Sequence, residues 1–249
     1  RATSGGINLY ETDGLIVGDV SATIQKVGSA AGVTATTDAT QSDVRTTSGD
    51  GSIVIRTAGG SITLNDGTAV ADNQSVSANG SGNILIEAIG AGTSLTANAD
   101  IASTSGHITV LAADSVTFTA NADITTGLTG TINLEVGTGS ILLSTTSNIT
   151  TGSGDIRLLG AVDITLGGLI STTGNVSGTA TSGTIYDGDS DGAVDISAGG
   201  LRLWAGTGIG QLGASVNPIE TTVATVSGRA TSGGISLYET NALIVGDVS

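Results

Sequence analysis

The 249-residue sequence contains no cysteine and no methionine, one proline and five aromatic residues. Without cysteine the chain cannot form disulfides, use a thiol nucleophile or bind metals through thiolates. Positive charge is also scarce, because 7 basic residues face 22 acidic ones and the formal net charge is −15. The seven bases are scattered singly along the sequence. Nucleic acid is therefore not an expected partner, since neutralising phosphates needs clustered Lys and Arg.

Long apolar runs are missing as well. No apolar stretch approaches the ~20 residues of a membrane-spanning helix, so we expect no membrane span. The 40 glycines follow no three-residue rule, which excludes collagen. Ile, Leu and Val nevertheless recur at short intervals, and this argues against disorder. The mixture of Gly, Ser, Thr, Asn and Asp favours an extended extracellular protein.

The two ends of the chain are near-copies of each other. Residues 1–21 read RATSGGINLYETDGLIVGDVS, and residues 229–249 read RATSGGISLYETNALIVGDVS, which is 18 matches in 21 positions. We call these segments the N-terminal copy and the C-terminal copy. The 228-residue spacing predicts a tandem repeat, in which residues 1–228 are one full unit and residues 229–249 begin the next.

A shorter period runs inside this unit. The motif G-x-I-x-[ILV] recurs every 24 residues, with its first isoleucine at Ile84, Ile108, Ile132 and Ile156. Two further short apolar stretches lie between successive motifs, and turn-forming residues separate all three. Alternation over three to five residues between such turns predicts short strands.

Three strands at a constant offset predict an all-β fold in which the chain coils and stacks each strand on its predecessor. We therefore predict a parallel β-helix, or β-solenoid, of about 10 coils of roughly 24 residues with three short strands per coil. Its hand is expected to be right-handed from the general rule for parallel crossovers. Glycines are expected to supply positive φ at tight corners. The narrow interior explains the scarcity of aromatic rings.

Two stretches depart from this regular pattern. Residues 22–50 have loosely spaced valines, so we expect less regular coils or an extended loop there. The string VSGTATSGTI at 176–185 is repeated as VSGRATSGGI at 226–235. The 50-residue offset corresponds to about two coils.

The G-x-I-x-L strands, the NADITT turn at 121–126 and the GTGIG…NPIETTVATVSG stretch at 206–228 carry a family resemblance. In these features the chain resembles the filamentous-haemagglutinin-type β-solenoids of giant bacterial surface and secreted adhesins. The resemblance implies a fibre-forming protein at the bacterial cell surface or in the extracellular space. It transfers no catalytic residue and names no adhesive target.

One loop has the pattern of a metal ligand set. Its sequence YDGDSDGAVD, residues 186–195, contains D-x-D-x-D-G, the opening of an EF-hand-type calcium loop. The predicted metal ligands are Asp187, Asp189, Asp191, the carbonyl group of Ala193, and Asp195. Position 12 is Ala198 instead of a bidentate glutamate, so we expect modest calcium affinity. A solvated acidic loop is the alternative.

Three other features have mainly structural interpretations. Asp100, Asp123 and Asn148 form an Asx column of the kind that lines the cleft of pectate-lyase-like enzymes, but capping of turn amides is the favoured role. The single histidine, His107, is expected at an exposed corner without a metal or acid–base partner. Trp204 is expected to be packed or half-exposed, with a sugar-stacking platform as the alternative.

We therefore expect a structural extracellular protein that forms the shaft of a surface fibre, filament or adhesin, and not an enzyme. Its expected partners are neighbouring repeats of the same chain, a surface glycan or other cell-surface target, and other rods through lateral self-association. The alternative is a carbohydrate-active or carbohydrate-binding β-helix module. Calcium is the only expected cofactor.

Overall fold

The computed structural model describes residues 1–189 and 191–248, which leaves Ser190 of the acidic loop and Ser249 of the C-terminal copy outside the described residues. Strands account for the regular structure of these residues, as the sequence predicts. They contain no helix long and apolar enough to cross a membrane. The strands are β1 (Ile7–Glu11), β2 (Leu15–Val17), β3 (Thr23–Val27), β4 (Val33–Thr37), β5 (Val44–Arg45), β6 (Ile53–Thr57), β7 (Ile62–Leu64), β8 (Gln74–Ala78), β9 (Ile84–Ala88), β10 (Leu95–Ala97), β11 (Asp100–Ser103), β12 (Ile108–Ala112), β13 (Val116–Phe118), β14 (Ile124–Thr125), β15 (Ile132–Val136), β16 (Ile141–Leu143), β17 (Ile149–Thr150), β18 (Ile156–Gly160), β19 (Ile164–Leu166), β20 (Ile170–Ser171), β21 (Asn175–Ala180), β22 (Ile185–Asp187), β23 (Ile196–Ala205), β24 (Ile219–Ala230), β25 (Leu237–Glu239) and β26 (Ile244–Val245).

These strands wind into a parallel β-helix with three faces. Face A stacks β1, β6, β9, β12, β15, β18, β21, the second halves of β23 and β24, and β26. Face B stacks β2, β7, β10, β13, β16, β19 and β22, and continues through Ile209 and Ile235. Face C stacks β5, β8, β11, β14, β17, β20, the first halves of β23 and β24, and β25. The predicted all-β parallel solenoid with three strands per coil is confirmed.

The predicted 24-residue ladder is present on face A. Ile84 pairs with Ile108, and the register continues through Ile132 to Ile156. The step then shortens, because Ile156 pairs with Val176, 20 residues later. The echo at 176–185 and 226–235 also follows the stacking, since Val176 pairs with Leu201 and Leu201 with Val226. The two copies of that string are therefore two coils apart, as predicted.

The core is a column of aliphatic side chains inside the coil. Strands on face A alternate between buried and part-exposed residues, as in β9, β12 and β15. Branched aliphatic residues fit this surface because they pack on their equivalents one rung away, about 4.8 Å distant. One ring enters the core: Phe118 is 1 % exposed, and its rung neighbour is the small Ala97.

The expected positive φ is found at corner glycines such as Gly80, Gly92 and Gly192, whereas the motif glycines are needed for close approach between coils. None of Gly82, Gly106, Gly130 and Gly154 has a positive φ. A Cβ on Gly130 would lie 2.6 Å from the carbonyl oxygen of Gly106, and one on Gly106 would lie 2.1 Å from that of Gly82. Glycine is therefore required because the backbone of the preceding coil occupies the place of a side chain.

Residues 22–50 are more ordered than the predicted irregular coils or extended loop. β3 and β4 form an antiparallel hairpin, and both strands are fully exposed. The hairpin pairs with no rung of the solenoid in the described part of the chain. The chain then returns to face C at β5, so the hairpin is an insertion in one coil.

Candidate functional site

The predicted calcium loop connects face B to face C. Asp187 is the last residue of β22, and Asp195 immediately precedes β23. Carboxylate oxygens of Asp187, Asp189 and Asp195 lie within 4.8 Å of one another. Asp187 and Asp195 are buried, with 8 % and 3 % exposure, so the group forms at the edge of the solenoid interior.

One of the four predicted carboxylate ligands, Asp191, lies outside this group. Asp191 is exposed, and its carboxylate accepts a hydrogen bond from the backbone N–H of Ala193 at 2.6 Å. The Asp189 carboxylate accepts the N–H of Asp191 at 3.3 Å, and Asp187 accepts the N–H of Asp189 at 3.0 Å. These Asx turns curl the loop but direct Asp191 to solvent. Three of the four predicted carboxylate ligands therefore come together.

A fourth acid from the next coil was not singled out by the sequence interpretation. Glu220 is 7 % exposed, and its N–H donates to the Asp195 carboxylate at 2.9 Å. In return the Asp195 N–H donates to the Glu220 carbonyl group at 2.9 Å. The 25-residue interval between Asp195 and Glu220, one coil, was the signal that could have found this contact. We call Asp187, Asp189, Asp195 and Glu220 the acidic pocket.

The acidic pocket disfavours the ionised state of three carboxyl groups, those of Asp189, Asp195 and Glu220. Burial raises the pKa of Asp195 to about 8, and the negative charge of Asp187 and Glu220 adds to the rise. Burial likewise raises the pKa of Asp189 to about 6 and that of Glu220 above its ordinary value. A proton or a cation relieves the same repulsion. Carboxylate oxygens grouped in this way are the donors that Ca²⁺ prefers, so the residues fit the predicted ion.

A second acidic group differs because it contains its own counterion. Carboxylate oxygens of Asp43, Asp66 and Asp72 lie within 4.8 Å of one another. The Arg45 guanidinium lies 2.7 Å from Asp72 and 3.5 Å from Asp43, whose side chain is 1 % exposed. Burial raises the pKa of Asp43. We interpret this group as an internal ion-pair network.

The Asx column has a structural role throughout its length. The Asp100 carboxylate accepts the backbone N–H of Asp123 at 2.8 Å, and that of Asp123 accepts the N–H of Asn148 at 2.8 Å. The favoured capping role is confirmed, although each side chain caps the next coil instead of its own turn. The Asp100 and Asp123 carboxylate oxygens that accept these bonds are the same oxygens that a catalytic acid or base at this corner would use.

His107 belongs to a similar column at the corner before face A. The backbone N–H of His107 donates to the Asn83 side-chain oxygen at 2.8 Å, and the ring Nδ1 accepts the backbone N–H of Thr131 at 3.1 Å. The ring is exposed, as predicted. It acts as one more polar link between adjacent coils.

Trp204 is half-buried on the outer side of face A. Arg229 is its neighbour on the next rung, and Arg202 lies two residues before it on the same strand. Arg157 stands two rungs below Arg202, in line with Ser177. The Arg157 guanidinium, however, bonds to Asn133 and Glu135 on the rung below it, so stacking gathers two of the seven basic residues beside the tryptophan. We call Arg202, Trp204 and Arg229 the Trp204 patch.

No family model, curated protein or solved structure matches this chain.

Proposed function

We propose that this chain is a segment of the shaft of an extracellular fibre or adhesin, with a structural rather than an enzymatic role. The supporting observation is the unbroken stacking of parallel rungs from β1 to β26 in a chain whose two ends share 18 of 21 residues. A spacer needs only coils that stack on their neighbours. At about 4.8 Å per coil, each 228-residue unit adds roughly 45 Å of length.

Electron microscopy of chains with one, two and four joined units tests this role. We expect rods of constant width whose length grows by roughly 45 Å per unit, because each new unit continues the stack. A matched chain with the same units separated by flexible Gly-Ser linkers should give bent strings of beads. Compact particles from the directly joined units would contradict the shaft.

We further propose that the acidic pocket binds one Ca²⁺ and thereby ties the Asp187–Asp195 loop to the coil of Glu220. The support is the grouping of the buried Asp187 and Asp195 carboxylates with that of half-buried Asp189, together with the pKa values raised to about 6 at Asp189 and about 8 at Asp195. Four formal negative charges exceed what a divalent ion neutralises, so a shared proton or a second ion accompanies binding.

Calcium titration by calorimetry separates this pocket from the EF-hand-type ligand set. We expect Asp195→Asn to weaken binding at least tenfold, since it removes a charged ligand, and Glu220→Gln to weaken it less, since the Glu220 carboxyl group adds negative charge beside the three grouped aspartates. Asp191→Asn is the matched control, because its side chain points away from the pocket. Equal losses from Asp191→Asn and Asp195→Asn would support the EF-hand set, and no binding heat in the unmodified chain would end the proposal.

A second candidate function is binding of an acidic polysaccharide at the Trp204 patch. The specific support is an aromatic ring flanked by Arg202 and Arg229 in a chain of net charge −15. Guanidinium groups pair with carboxylates or sulfates, and an indole ring stacks on a sugar face. The two rungs are about 4.8 Å apart, so the two guanidinium groups and the indole ring can contact the same oligosaccharide.

Binding of polygalacturonate or heparin, measured at several salt concentrations, tests the patch. The Arg202→Ala/Arg229→Ala double variant should lose at least tenfold in affinity. Arg56→Ala is the control, because Arg56 is also on face A but pairs with Glu87 at 2.6 Å. Equal weakening by Arg56→Ala would mean that no defined site exists.

A further inference from the structure

The corner between face B and face C carries acidic side chains in the first coils as well as in the last ones. Asp43 immediately precedes β5 on face C, and Asp66 lies two residues after the end of β7 on face B. Asp72 lies farther along the same connection, two residues before β8. We call these three aspartates and Arg45 the Asp43 group. Because β5 pairs with β8, the group is built from two successive coils.

Asp43 and Asp66 stand at coil positions that are also acidic in the acidic pocket. Asp43 and Asp195 each come directly before a face C strand, β5 or β23. Asp66 and Asp189 each lie two residues after the last residue of a face B strand, β7 or β22. The solenoid therefore brings carboxylates together from the same two positions of the coil in both places.

Two oxygen atoms of the Asp43 group are buried without a hydrogen bond. Within the described part of the chain, Asp43 Oδ2 and Asp66 Oδ1 have no donor. The side chain of Asp43 is 1 % exposed, and its other oxygen accepts the N–H of Gly67 at 3.2 Å. A buried carboxylate oxygen is ordinarily paired, because leaving it unpaired costs the desolvation of the group. The two oxygens therefore point to a bound cation, which is one of the ordinary partners of such atoms.

Arg45 neutralises only part of the charge of this group. Its Nη2 donates to Asp72 Oδ2 at 2.7 Å but lies 3.5 Å from Asp43 Oδ2, which is too long for a good hydrogen bond. Since both oxygens approach the same nitrogen, the unpaired Asp43 oxygen lies on the side of the Asp72 carboxylate. Three carboxylates and one guanidinium leave two formal negative charges, the number that a divalent cation neutralises.

We infer that the Asp43 group binds one Ca²⁺ through the carboxylates of Asp43, Asp66 and Asp72. Carboxylate oxygens are the donors that this ion prefers, and it accepts irregular coordination more readily than Mg²⁺, which demands a near-ideal octahedron. This second ion site is separate from the acidic pocket. It depends neither on the shaft function nor on calcium binding at Asp195.

The ion would fasten the base of the β3–β4 hairpin to the next coil. Asp19, which precedes the hairpin, accepts the hydroxyl of Ser42 at 2.5 Å and the N–H of Thr68 at 2.9 Å. Asp43 directly follows Ser42, and Asp66 lies two residues before Thr68. A cation held between Asp43 and Asp66 therefore joins the same two segments that Asp19 already connects.

Calorimetric titration with CaCl₂ tests the second site in a chain whose acidic pocket is disabled. Asp187→Asn/Asp195→Asn removes two buried carboxylates of that pocket, so binding that remains reports on the Asp43 group. We expect about one Ca²⁺ per chain in this background, and at least tenfold weaker binding once Asp43→Asn is added. Asp38→Asn is the matched control, because it removes the same charge from an exposed position beside the hairpin. It should leave the affinity unchanged.

Hydrogen exchange locates the ion and checks folding. Ca²⁺ should slow exchange of a peptide covering residues 65–73 in the unmodified chain and not in Asp43→Asn, while β12 stays protected in both. If β12 loses protection in Asp43→Asn, the half-buried Asp66→Asn replaces it and should show the same loss of binding.

The two calcium proposals can fail separately. No binding heat in Asp187→Asn/Asp195→Asn, or equal weakening by Asp38→Asn and Asp43→Asn, would overturn the site at the Asp43 group and leave the acidic pocket standing. Binding in the unmodified chain that Asp43→Asn abolishes and Asp195→Asn leaves unchanged would support this site and remove the acidic pocket as a calcium site.

Discussion

The residues at the start of face C form one column along the solenoid, and their side chains have different surroundings in the central coils and in the last coils. The residues that open face C in the central coils are Asp100, Asp123 and Asn148, and those in the last coils are Asp195 and Glu220. In both regions a carboxylate accepts the N–H of the residue one coil later. In the central coils these side chains are half-buried. In the last coils they are buried and share their space with the acidic loop.

This difference shows that position in the coil sets the hydrogen bond, whereas the surroundings set the charge chemistry. Asp123 supplies an acceptor at a corner that retains solvent contact. Asp195 supplies the same acceptor, but burial beside further carboxylates raises its pKa to about 8. The group around Asp43 is a third case, because Arg45 compensates its charge.

The largest expected effect comes from removing that arginine. Arg45→Ala should lower the free energy of unfolding by about 3 kcal/mol, because it leaves the buried Asp43 carboxylate without its counterion. Denaturant unfolding measures the change. Arg56→Ala is the control and should cost less than about 1 kcal/mol, since its ion pair with Glu87 is partly exposed to solvent and its loss leaves no fully buried charge. Similar costs for both variants would mean that the Asp43 group does not depend on Arg45.

The second prediction concerns pH dependence in the presence of a chelator. A carboxyl group whose folded pKa is raised to about 8 contributes stability below its unfolded pKa of about 4 and loses it as pH rises through 8. The chain should therefore become less stable between pH 5 and pH 8, by on the order of 2 to 3 kcal/mol. Asp195→Asn should flatten this slope in thermal melts, and Asp123→Asn should not. A slope unchanged by Asp195→Asn would place the titrating group elsewhere.

A third prediction tests how closely the central coils stack. Gly130→Ala should lower the free energy of unfolding by about 2 kcal/mol, because the new Cβ would lie 2.6 Å from the Gly106 carbonyl oxygen. Gly18→Ala is the matched control, since nothing lies within 4 Å of a Cβ there. Chemical denaturation compares the two variants, and equal stability would argue against glycine being required for close approach.

The smallest expected effect separates the acceptor from the charge in the central column. Asp123→Ala removes the acceptor of the Asn148 N–H and should cost about 1 kcal/mol. Asp123→Asn retains an acceptor and should change stability by less than about 0.5 kcal/mol. Hydrogen exchange at the Asn148 amide would report the lost bond directly. A costly Asp123→Asn variant would show that charge matters in the central coils too.

The sequence predicted the coil path well in the middle of the chain and less well elsewhere. Between Ile84 and Ile156 the interval is constant, so alternation and turn residues specify each strand. The β3–β4 hairpin was missed because its valines and threonines resemble a weak coil. The close-approach role of the motif glycines was not predicted, because a contact with the coil below leaves no mark in the sequence of the coil itself.

For the candidate site, the sequence identified the acidic loop but not its final membership. Spacing within the loop grouped Asp187, Asp189 and Asp195 with Asp191, because local spacing cannot tell which side chain faces inward. Glu220 joins through a contact one coil away. The basic residues of the Trp204 patch are likewise far apart in sequence and adjacent only after stacking.

By itself the sequence determined that the chain coils as a parallel β-solenoid, because short-range alternation and a regular interval are properties of the linear chain. Only the tertiary structure decided which residues of successive coils share a pocket and on which face each copy of the repeated segment lies. The physical reason is that stacking brings together residues 18 to 47 positions apart across a rung, as from Ile219 to Leu237 and from Leu15 to Ile62. The burial and the charge of each side chain then depend on residues of the neighbouring coils, which the alternation pattern within one coil does not specify.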